Sequence, residues 1–248
     1  MDRMLFIAMS GAKETAFSQA NNANNLANAN TDGFMQDFNQ FRAQLLKGPG
    51  WDSRTYAMDE RPATDFTPGA IKVTGRSLDV ATNGDGFFAM LDRNDQEAYV
   101  RSASLQVTEA GLLVDVKGQP ILNAAGGQIA LPPYDDVAIG SDGTISLIPA
   151  GAGANEWVVI DQLRLVNPPF DQLMKDEQGS VRLVEGAPLP EQANVPMVNG
   201  ALQTSNVNTV QALTTMIELS RKYEMQVKMM KTASDLASTS NQILSIRG

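Results

Sequence analysis

The chain has 248 residues, 43% hydrophobic and 6% aromatic, a formal charge of −9, and neither cysteine nor histidine. Disulfides, thiolate or imidazole metal ligands, cysteine nucleophiles and Ser-His-Asp triads are excluded together. The acidic balance argues against nucleic acid, whose binding rests on neutralising phosphates.

Residues 2–30 read as a helix. Met1, Leu5, Ala8, Ala12, Thr15, Gln19, Asn22 and Leu26 recur at steps of three and four, a seam that faces another helix. The helix is intrinsically weak, because six asparagines fall between Asn21 and Asn30 and the Asn amide competes for backbone hydrogen bonds. Thr31-Asp32-Gly33 stops it, with glycine free to take a positive φ. The apolar run Met4 to Met9 is too short for a secretory signal or a membrane span, so if the protein leaves the cytoplasm a route that keeps its N-terminus is expected.

Residues 35–64 form a linker or extension. Phe34, Phe38, Phe41 and Leu45 make the start of it amphipathic, as a short helix or an ordered excursion, and Gly48-Pro49-Gly50 breaks it. From 65 to 200 short runs of Val, Ile, Leu and Phe alternate with turn pairs such as Asn83-Gly84, Lys117-Gly118 and Asp142-Gly143. This predicts a mainly antiparallel β middle domain of about nine to twelve strands. Trp157 to Val166 alternates like one half-buried strand.

Ala201 to Arg247 contains neither glycine nor proline. Ser205 or Asn206 is a suitable N-cap for a helix about 60–70 Å long at ~1.5 Å per residue. Leu213, Met216, Ser220, Tyr223, Val227, Met230, Ser234, Ala237, Asn241 and Leu244 form its heptad-like seam. The expected class is therefore α+β. The segments 1–34 and 201–248 pair as a coiled-coil-like helical domain, and 65–200 is the β domain. The charge follows this division: 1–34 carries −1, 211–248 carries +2, and the rest −10.

Asn83-Gly-Asp-Gly86 and Asp92-Arg-Asn-Asp95 imitate parts of a calcium loop but lack its closing glutamate, and read as tight turns. Asp135-Asp136 and Asp59-Glu60 are candidate carboxylate pairs for glycan chemistry, with no spacing to hold them across a bond. Gly151-Ala-Gly153 lacks phosphate-loop spacing. No catalytic, metal or cofactor-binding residue is expected.

Several of these residues carry a resemblance. Ala23-Asn-Asn-Leu-Ala-Asn28 with Thr31-Asp-Gly-Phe34, then Gly84-Asp-Gly-Phe-Phe88, then Ser205-Asn-Val-Asn208 with Arg221, Tyr223-Glu224 and Lys228, are similar to motifs of the flagellar basal-body rod and hook proteins. Met1-Asp-Arg3, Asp65-Phe-Thr-Pro-Gly69 and Glu224 to Ala233 look most like the proximal-rod members. Arg101-Ser-Ala-Ser-Leu105 departs by lacking a glycine usual in the family.

The resemblance implies a structural, non-enzymatic subunit of the proximal rod that self-assembles with other rod proteins and copies of itself into a helical, torque-transmitting shaft. It also implies passage through the flagellar type III export apparatus to the periplasmic basal body, without nucleic acid or a membrane span. The expected assembly interface comprises Leu5, Ala8, Ala12, Asn22, Asn25, Leu26 and Asn28 on the first helix. On the second it comprises Leu213, Met216, Ser220, Tyr223, Val227, Met230, Ala237 and Leu244. The alternatives are a distal-rod or hook component, or a glycan-binding or glycan-cleaving β domain with an oligomerising helix pair.

Overall fold

A computed structural model describes residues 2–38, 41–45, 55–59, 63–153, 156–176 and 179–246. The expectations for Met1, for the break at 48–50 and for Glu60 lie outside the described residues, as do the side chains of Asp59, Asn241 and Leu244. The chain divides into a helical unit (Met1–Ala29, Gln36–Asp65, Val207–Gly248) and a β unit (Asn30–Met35, Phe66–Asn206). It passes between them four times.

In the helical unit, α1 (Asp2–Ala27) and α2 (Thr209–Ile246) accompany four short strands. These are β1 (Asp37–Phe38), β2 (Phe41–Leu45), β3 (Thr55–Asp59) and β4 (Ala63–Thr64), with β1 paired to β4 and β2 to β3, both antiparallel. The segment after Phe34 is thus extended where a short helix was one expectation. Steps of four, as from Phe34 to Phe38 and from Phe41 to Leu45, fit one face of a strand as well as of a helix, and the step of three between Phe38 and Phe41 falls between β1 and β2.

The α+β class holds, but the coiled-coil pairing does not. Leu213, Tyr223 and Val227 of the expected seam are exposed, while Ala212 and Ala233 beside the seam are buried. On α1 the buried residues are Ala8, Ala12, Glu14, Thr15 and Asn25. The helices lie antiparallel: Asn22 near the end of α1 bonds to Ala212 near the start of α2, and Gly11 faces Gln226. Small and polar residues make this contact, because close backbone approach leaves no room for interlocking leucines. Three exposed positions of the expected α2 seam, Leu213, Val227 and Ser234, each follow a less exposed residue, Ala212, Gln226 and Ala233.

The β unit holds fourteen strands among the described residues: β5 (Ile71–Val73), β6 (Asp79–Thr82), β7 (Phe87–Leu91), β8 (Glu97–Val100), β9 (Ser102–Val107), β10 (Leu113–Asp115), β11 (Tyr134–Ile139), β12 (Thr144–Pro149), β13 (Val158–Gln162), β14 (Leu165–Val166), β15 (Leu173–Lys175), β16 (Val181–Leu183), β17 (Met197–Asn199) and β18 (Ala201–Gln203). They form sheets ordered β10-β9-β6-β17, β14-β7-β8-β16-β15, β11-β12-β13 and β18-β5, with antiparallel pairing. The expected single strand from Trp157 to Val166 is two strands. Leu163 and Leu165 are buried and Val158, Val159 and Ile160 are exposed.

Strand β7 lies between two cores. Its alternation sends Phe88 and Met90 into a cluster with Leu105, Ile121 and Leu147, and Phe87 and Ala89 into a second with Met35, Tyr99 and Val166. Arg101 is fully buried with its guanidinium 4.6 Å from the Phe87 ring centroid and 5.7 Å from that of Phe170, a cation–π arrangement. Phe66 stacks on Phe170 and meets Phe87 edge-on.

The Asn83-Gly-Asp-Gly86 and Asp92-Arg-Asn-Asp95 segments are turns. Among the described residues no group of three or more acidic side chains is placed to hold a metal. A Cβ on Gly86 would stand 2.2 Å from Val195 Cγ1, whereas one on Gly153 meets nothing closer than 3.9 Å. Gly86→Ala should therefore cost ~1–3 kcal/mol by overpacking and Gly153→Ala less than ~0.5 kcal/mol, read by thermal denaturation.

Asp92 Oδ1 accepts from the amides of Asn94 (2.7 Å) and Gln96 (3.1 Å), and Arg182 donates to Oδ2. Burial pushes the Asp92 pKa up, but those amides and the Arg182 charge outweigh it and hold the carboxyl below its ordinary value. A depressed folded-state pKa contributes stability above the unfolded value of ~3.9, lost as pH falls through the folded value. Asp92→Asn should be less stable than wild type at neutral pH, and the difference should shrink as pH falls below the unfolded carboxyl value in a denaturation series.

Candidate assembly interface

The asparagine-rich end of α1 is weak as a helix and useful as a surface. Asn22 Nδ2 donates to the Ala212 carbonyl at 2.8 Å, tying α1 to the first turn of α2. Asn25, buried, makes two bonds to one residue: its Nδ2 donates to the Asp37 carbonyl at 2.6 Å and its Oδ1 accepts from the Asp37 amide at 2.9 Å. The side-chain amide thereby pairs with β1 as a neighbouring strand would. Thr64 donates to the Asp37 carboxylate at 2.7 Å, extending the bond chain to β4. Asn28 stays near the helix end, its Nδ2 bonded to the Asn24 carbonyl at 3.0 Å.

The start of α2 is capped by Asn208, whose Oδ1 accepts from the Gln211 amide at 3.1 Å. Ser205 and Asn206, the expected caps, lie upstream; Asn206 instead bonds to the Phe34 and Thr67 carbonyls. A groove of about 300 Å³ opens in the helical unit, lined by Asn21, Asn22, Asn25, Asp37, Asn208 and Gln211 among others. Glu14 Oε2 and Gln226 Oε1 are buried acceptors without a hydrogen-bond partner.

Ala8, Ala12 and Asn25 are buried within the unit. Asn22, Leu26, Asn28, Met216, Ser220, Met230 and Ala237 are half-buried, and Leu5, Leu213, Tyr223 and Val227 are exposed. Sequence reasoning missed Gly11, Ala212 and Gln226. The available signal was small residues on the row of α2 next to the large apolar ones. It also missed Asp37, whose role is a backbone contact that carries no residue signature. Asp135 and Asp136, the carboxylate candidates, accept from the Gly151 and Val137 amides and serve local backbone geometry.

Comparison with known proteins gives these features a family. Residues 198–243 match the C-terminal region of the flagellar basal body rod FlgEFG proteins, and residues 81–147 match the D1 domain of the flagellar hook proteins FlgE/F/G. The chain is 36% identical to the flagellar basal-body rod protein FlgF of Escherichia coli, covering 99% of this chain and 100% of that one. The chain belongs to the flagellar basal-body rod protein family. It is 34% identical to FlgF of Salmonella typhimurium over 99% of this chain and 100% of the relative, and 32% identical to FlgF of Caulobacter vibrioides over 96% of each. The matched C-terminal segment of this rod subunit contains β18 and most of α2, and the matched D1 segment begins before β7 and closes within β12.

Asn25→Leu removes both bonds to Asp37 and strands two backbone groups, which should destabilise the helical unit by ~1–3 kcal/mol. Hydrogen exchange at the Asp37 amide should accelerate in Asn25→Leu.

Proposed function

We propose that this rod subunit occupies the proximal segment of the rod, where α1 and α2 pack against helices of other rod proteins and of further copies. The assembled shaft transmits torque. The observation that carries this reading is the apolar surface of the helical unit. Val210 is 72% exposed, Met225 62%, Ile217 55%, and Phe6 and Met9 52% each. On two helices this exposure marks a surface meant for other proteins. At about 25 cal/mol per Å², burying it is the main free energy available for assembly.

The division of the helix residues follows. Ala8, Ala12, Asn22 and Asn25 hold the helical unit together, while Leu5, Leu213, Tyr223 and Val227 present themselves to neighbours. Passage through the flagellar type III apparatus to a periplasmic position is part of the same proposal and rests on the family resemblance. The family relatives are structural rod proteins, which supports a role without catalysis.

Leu213→Glu with Ile217→Glu places two charges on the exposed face of α2 while leaving Ala212 and Gln226 in place. Cells carrying this variant should lose it from isolated basal bodies and lose motility, with the thermal transition of the β unit unchanged. Wild-type motility and incorporation would overturn the reading.

A further inference from the structure

The β unit carries two open strand edges of opposite character. In the β11-β12-β13 sheet, β11 is defended: Asp135 and Asp136 are exposed on it and a register shift interrupts its pairing. Charges and bulges are how proteins blunt an edge against pairing with other chains. Strand β13 at the opposite edge shows Trp157, Val158, Val159 and Ile160 in succession, all between 37% and 64% exposed. Its pairing with β12 shifts register beyond Val159, so Val158 and Val159 form the regular part. Glu156 and Asp161 bracket this apolar run. Among the described residues no strand pairs with the outer edge of β13; at its C-terminal end Ala124 donates to the Gln162 carbonyl at 3.0 Å and Asn123 to the Asp161 carboxylate at 2.9 Å, which leaves the Val158–Ile160 stretch as the open part.

The second edge is β5, whose one partner among the described residues is β18. Ile71 (38%) and Val73 (78%) are exposed on it, with exposed Lys72 between them. Arg76, just beyond, is engaged with Asp79, Ser104 and the Leu105 carbonyl. One edge is thus apolar with acidic flanks and the other apolar with a free cation.

We propose that β13 of one copy pairs with β5 of a second copy, as a strand-to-strand contact between β units in the assembly. The proposal rests on the rod reading above and names a partner surface for the β unit. Charge selects this occupant over self-pairing. An antiparallel β13–β13 contact centred between Val158 and Val159 sets Glu156 against Asp161, opposing two acids. Pairing β13 with β5 instead brings Lys72 to the acidic flanks. Because the two edges are different surfaces of one chain, the contact is head-to-tail and leaves a free β5 and a free β13 at the ends. Such contacts build open helical arrays where the rotation does not close. The pairing is only a few residues long and too weak to hold two free copies. It forms once the helices have raised the effective concentration.

The absence of native cysteine makes the test direct. Val73→Cys and Val159→Cys variants carrying different tags are co-expressed, basal bodies are isolated, and a bismaleimide linker is added. The expected product joins one Val73→Cys chain to one Val159→Cys chain, with none from either variant alone. Lys72→Glu should lower its yield about tenfold, and adding Glu156→Lys should restore it. Basal bodies that contain both variants but give no mixed product would overturn the edge pairing and leave the rod reading standing. A product of two Val159→Cys chains would replace the proposal with self-pairing. Absence of both variants from basal bodies, with each folded in solution, would overturn both readings.

Discussion

The close approach of α1 to α2 through small residues decides what the rest of the helical unit can do. Glycine at position 11 leaves room for the Gln226 amide, and alanines 8, 12, 212 and 233 are buried. The buried positions are taken mainly by small residues, and many of the larger residues of both helices are left exposed. Leu213, Ile217, Met225 and Met229 face away because the inner row is taken by alanine and glutamine. A helix pair of this kind is stable enough to present a surface and too lean to be an end in itself. The partnerless Glu14 and Gln226 oxygens add to its incompleteness, since buried acceptors without donors cost free energy.

The β unit is built on the opposite principle. Strand β7 feeds both of its faces into apolar clusters, and the two phenylalanines of the Gly-Phe-Phe motif are at most 1% exposed. Arg101 then closes one side by lying over two aromatic rings, where a smaller residue would leave a void. The segment after α1 is fastened to this body. Lys175 donates to the Met35 carbonyl at 2.9 Å, its ammonium 4.1 Å from the Phe34 ring centroid, and Gly33 donates to the Gln203 carbonyl at 2.7 Å. Thr31-Asp-Gly-Phe34 is therefore more than a helix stop: with Met35 it is fastened to strands 140 and 170 residues away in sequence.

Much of this was legible in the amino-acid order. Both long helices and the strand-rich middle follow from periodicity and turn chemistry, and the asparagine-rich motif marked the polar end of α1. What was not legible depended on size and on backbone. Periodicity ranks residues by hydrophobicity, so it pointed to Leu213 and Val227, whereas the buried position at the start of α2 is Ala212. The Asn25–Asp37 bonds involve a main-chain amide and carbonyl that any residue at position 37 supplies. The strands after Phe34 were hidden because steps of four fit two geometries. The burial of Arg101 was hidden because a lone arginine in a strand usually points to solvent.

The four passages of the chain between the units, at 29/30, 35/36, 65/66 and 206/207, have a mechanical meaning. A domain joined by one peptide linker swivels about the single bonds of that linker and passes on tension but no twist. Four covalent crossings in place of one mean that a load passed from one unit to the other is shared by more than a single peptide bond. A cut at any one of them would still leave the two units joined by the other three.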